Sequence, residues 1–121
     1  MRPDAGVLPV VGFGAGGLRF AIEASAVLAM LPEAGAVPAF ATLMGLAPAD
    51  TATRVLLVRQ GETAQAIRVE EPVAAIDLPF DAIQPLPPLL AATLRRPAIR
   101  ALAWDQAGLT ILVALEPAGA G

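Results

Sequence analysis

Two adjacent carboxylates, Glu70 and Glu71, close the run TAQAIRVEE just ahead of Pro72. Paired carboxylates can run general acid–base chemistry when they converge and their environments drive their proton affinities apart. Consecutive side chains of an extended segment point to opposite faces, so these two cannot share a proton or flank one bond. One is expected in solvent and the other at a rim. The stretch GFGAGG places glycines at 12, 14 and 17 after a strand-like run, in the spacing of a dinucleotide fingerprint. That chemistry needs a helix N-terminus to receive the pyrophosphate. The residues that follow, LRFAIE, alternate with period 2 instead, and no strand–helix–strand unit can be completed around Glu33. A hairpin turn accounts for the glycines.

The remaining candidates are sparse. Ser25 is the only serine, and EASAV is not a nucleophile elbow, so capping a short helix is its expected role. Arg95, Arg96 and Arg100 could face an acidic partner, although cations at the end of a helix are favourable without one. Trp104, at a strand end beside Asp105, suits either a core or an interface.

Composition narrows the chemistry further. The chain has 121 residues, enough for one compact domain, and contains no Cys, His, Tyr, Lys or Asn. Thiol and imidazole catalysis, soft-metal sites, Schiff bases and phosphate-loop lysines are therefore excluded. Any enzyme would have to work with carboxylates, arginines and a few hydroxyls, so no catalytic role and no cofactor is expected. The net charge of −3 supplies no basic field for nucleic acid or anionic membrane. Uncharged windows are interrupted by Gly and Pro and fall short of the roughly 20 residues a bilayer requires. A cytoplasmic protein is the default expectation. Mean hydropathy of +0.67, with 56% apolar residues, fits either figures inflated by abundant alanine or apolar surface covered by a partner or a second copy.

The elements that must carry these residues are mostly strands. LPVVGF and GGLRFAIE read as a hairpin around Gly14–Gly17, with Leu18, Phe20 and Ile22 on the buried side. EASAVLAML has weak helical spacing at Val27, Met30 and Leu31 and ends at Pro32. VPAFATLMGL holds a short helix, with Phe40, Leu43 and Met44 on one face and Gly45 near its end. RVLLVRQ and TAQAIRVE form a second hairpin around Gly61, and Pro72 must end or bulge the pairing. AIDLP is a short strand or bridge, PPLLAATLRR a second helix, and AIRALAW with LTILVALE a last hairpin. The expected class is all-β, with two short helices, in a barrel or sandwich. Residues 1–116 make one domain, and 117–121 form a tail.

In their order these segments resemble the CheW-like domain of bacterial chemotaxis coupling proteins. GGLRFAIEASAVLAML is similar to the family's opening, a Gly-Gly hairpin followed by an aromatic-Ala-aliphatic strand. LMGLAPADTATRVLLV resembles its Leu-Leu-Gly-Leu helix end, polar loop and long aliphatic strand. IRVEEPVAAIDLPFDAIQPLPPLL resembles the segment reading Val-Asp-x-Val-x-x-Val that runs on to Ile-x-Pro-x-Pro, and RRPAIRALAWDQAGLTILVALE the closing hairpin. The resemblance touches most of residues 10–116. It implies a double β-barrel and a non-catalytic adaptor. The implied partners are a histidine kinase regulatory domain, a chemoreceptor tip or another CheW-like domain, with Arg68, Glu70 and Val73 as contact residues.

Two departures stand out. Members carry a Gly-x-x-Asn-Leu-Arg-Gly segment and a strand ending in Val-Asp where this chain has only PEAGAVPAF, with VPAF as the remnant of that strand. A reduced first barrel follows from this, and it must close smaller, be covered by PEAGAVPAFATL, or pair with a second copy as a homodimer. The other departure is Pro72, which replaces a valine, while Glu70 keeps the charge of the family's aspartate. An adaptor that only self-associates, and a small-ligand or nucleotide binder using GFGAGG, are the alternatives.

Overall fold

The computed structural model describes residues 6–32, 36–85, 98–105 and 108–115. Among these residues eight strands follow one another: β1 (Val7–Ala15), β2 (Leu18–Glu23), β3 (Val27–Leu31), β4 (Thr53–Gln60), β5 (Thr63–Pro79), β6 (Ile83–Pro85), β7 (Ala98–Asp105) and β8 (Gly108–Ala114). One short helix, α1 (Phe40–Leu43), lies between β3 and β4. The strands form a single sheet in the order β3-β4-β5-β1-β2-β8-β7-β6, antiparallel throughout except where β2 meets β8. The all-β class is as expected. PPLLAATLRR, with Arg95 and Arg96, lies outside the described residues.

The hairpin β1–β2 is the wall between two cores. Its Phe13, Ala15, Phe20 and Ile22 belong to one cluster, together with Phe40, Leu56, Val58 and Ile67. Val10 and Ala21 belong to the other, with Leu78, Ala101, Ala103 and Leu112. Alternation along each strand sends neighbouring side chains to opposite cores, so both faces of this hairpin are buried. LRFAIE is thus not half-buried as its alternation suggests. Ala21 is fully buried on the second side while Leu18 is exposed. An alanine facing a core and an alanine facing water look alike in sequence, which hides the second face.

The first core is organised by three aromatic rings. Phe13 and Phe20 stack at 6.1 Å, and Phe40 meets both edge-on at 5.2 and 5.1 Å. Such pairs contribute roughly 0.5–1.5 kcal/mol each beyond the area they bury. Phe40 comes from the interval that replaces the family's longer segment. Ala39 makes one parallel bridge to Arg68 of β5, and the Arg68 N–H donates to the Pro38 carbonyl at 2.9 Å. VPAF therefore supplies a single rung of strand and a ring that plugs the first core.

Two expectations need correction. The run Val27–Leu31 is a strand paired with β4, preceded by a 3₁₀ turn at Ala24–Ala26, not a helix. The six-residue apolar run AVLAML satisfies both periods, and the ladder with β4 decides between them. AIDLP is not a separate strand either. β5 runs for 17 residues, pairing with β4 up to Glu70 opposite Thr53, and with β1 at Glu70 opposite Gly14 and again from Ala74 onwards. The register on β1 shifts between Gly12 and Gly14, where Glu71, Pro72 and Val73 are looped out as a bulge, and the Glu71–Pro72 peptide is cis. Pro72 thus ends one pairing and bulges the next without breaking the strand.

Candidate functional site

Arg68, Glu70 and Val73 fall where β5 leaves β4 for β1. This handover gathers three segments far apart in sequence: the β1–β2 turn, the loop after α1, and the middle of β5. Gly16 and Gly17 of the turn have φ of 60° and 86°, the left-handed region that suits glycine. A Cβ on Gly16 would lie 2.7 Å from the Cβ of Leu46, so the turn packs directly on the loop after α1.

Glu70 locks these pieces together. Its Oε2 accepts hydrogen bonds from the Gly16 N–H at 3.1 Å and the Ala49 N–H at 2.9 Å. The residue is only 7% exposed. The rim charge expected from the sequence is therefore an internal clamp. A carboxylate accepting amide protons is a charge-assisted arrangement, stronger than bonds between neutral groups. Three further contacts hold the same loop. The Leu46 N–H donates to the Ala41 carbonyl at 2.8 Å, the Glu71 N–H to the Ala52 carbonyl at 2.9 Å, and the Arg54 Nε to Glu71 Oε2 at 2.9 Å.

Glu70 and Glu71 thus face opposite ways, as strand alternation requires, and form no reactive pair. Arg68 and Val73 are half-buried, Val73 packing against the first core. Ser25 sits inside the 3₁₀ turn, which has no side-chain cap, so the capping role does not apply. The glycines of GFGAGG divide between strand β1 and the turn, and β2 follows directly. The Gly16 amide of the turn is already bonded to a carboxylate, whose charge would repel a phosphate. Among the described residues no three carboxylates gather closely enough to hold a cation.

Sequence reading left Trp104 open and did not single out Phe80. The structure exposes both, at 55% and 48%. The 3₁₀ turn Phe80–Ala82 lies against β7, which carries Trp104. A second exposed apolar strip follows β3, where Leu28, Met30 and Leu31 are each at least 40% exposed. Among the described residues no helix is long and apolar enough to cross a membrane.

Comparison with known proteins places this architecture. No family model matches the sequence, and no curated protein matches it significantly. Among solved structures, the fold is similar to that of the scaffolding protein TtCheW from Thermoanaerobacter tengcongensis. The TM-score is 0.71 at 13% identity, with 91% of this chain and 90% of that chain covered. The fold is CheW-like over 91% of the chain.

Proposed function

We propose that this chain is a non-catalytic signalling adaptor of the chemotaxis type, acting in the cytoplasm by holding protein partners together. The observation that carries this reading is the match to a scaffolding protein over 91% of the chain, in a molecule whose adjacent carboxylates, Glu70 and Glu71, are committed to structure. The partners are a histidine kinase regulatory domain, a chemoreceptor, or another CheW-like domain. Arg68 and Val73 contribute side chains to the contact. Glu70 acts from behind it, fixing the turn and loop that frame the surface.

The test is titration calorimetry with a CheW-binding kinase regulatory domain. Arg68→Glu and Val73→Asp should each weaken the complex about tenfold or more, the scale of a residue central to an interface. Absence of a complex at concentrations that reveal transient interfaces would overturn the reading. Self-association is the second reading, favoured by the exposed apolar side chains of β3, which lies at the end of the sheet order and pairs with β4 alone among the described residues. Light scattering separates the two.

A further inference from the structure

We draw no further inference here: the strongest candidate, the exposed apolar strip of Leu28, Met30 and Leu31 on β3 at the end of the sheet order, is an unpartnered face, and nothing in the structure shows what covers it.

Discussion

Replacing Glu70 with alanine removes the acceptor of two amides, Gly16 at 3.1 Å and Ala49 at 2.9 Å, from a position only 7% exposed. A hydrogen bond to a charged group contributes about 1.5–3 kcal/mol, and a stranded amide costs a similar amount. The two bonds do not count equally. Gly16 is half-buried and pressed against Leu46, so its amide finds no ready substitute. Ala49 is exposed, and water can replace the lost carboxylate there. Discounting the second bond for that reason gives about 2–3 kcal/mol in total. For a chain of this length that corresponds to a melting temperature lower by about 10 °C. Glu70→Gln keeps one acceptor oxygen and loses the charge, which should cost about 1 kcal/mol. Urea denaturation measures both, with the midpoint falling and the slope unchanged. Amide exchange adds the local readout: Gly16 should lose protection in both variants while amides of β7 and β8 keep theirs relative to global stability. If Glu70→Ala lies within about 0.5 kcal/mol of the parent, the range of ordinary surface substitutions, the clamp is wrong. Glu70 would then be the rim charge its sequence position suggests, felt in the salt dependence of association.

Phe40→Ala should destabilise the chain by about 3–5 kcal/mol, since the ring is fully buried against Phe13 and Phe20; calorimetric or urea unfolding tests this, and a cost below about 1 kcal/mol would mean the first residue of α1 does not plug the core. Gly16→Ala and Gly17→Ala both force a residue into the left-handed region, at about 1–2 kcal/mol each. Only Gly16→Ala also drives a Cβ to 2.7 Å from Leu46, so it should cost clearly more than Gly17→Ala in the same assay. Met30→Lys places a charge on the exposed β3 edge, and light scattering should show any self-association weakened with the fold intact.

The hairpins were legible because glycine turns flank runs with clear alternation. Gly61 between β4 and β5 and the Gly16–Gly17 turn both appear where sequence places them. The short helix at Phe40–Leu43 was legible too, from its apolar spacing and Gly45. Exclusion of thiol, imidazole and lysine chemistry needed only the absence of those residues. Strand against helix at Val27–Leu31 was not legible, because a short apolar run carries both periods until a neighbour, here β4, takes its hydrogen bonds. Nor was the second face of the β1–β2 wall, where Ala21 says nothing about its surroundings. The sequence alone determined the types of group available, the alternation that keeps Glu70 and Glu71 apart, and the turns. Tertiary structure alone decided what Glu70 does. Its amide partners lie 54 and 21 residues away, and no local pattern encodes a contact that exists only once β5 passes from one half of the sheet to the other.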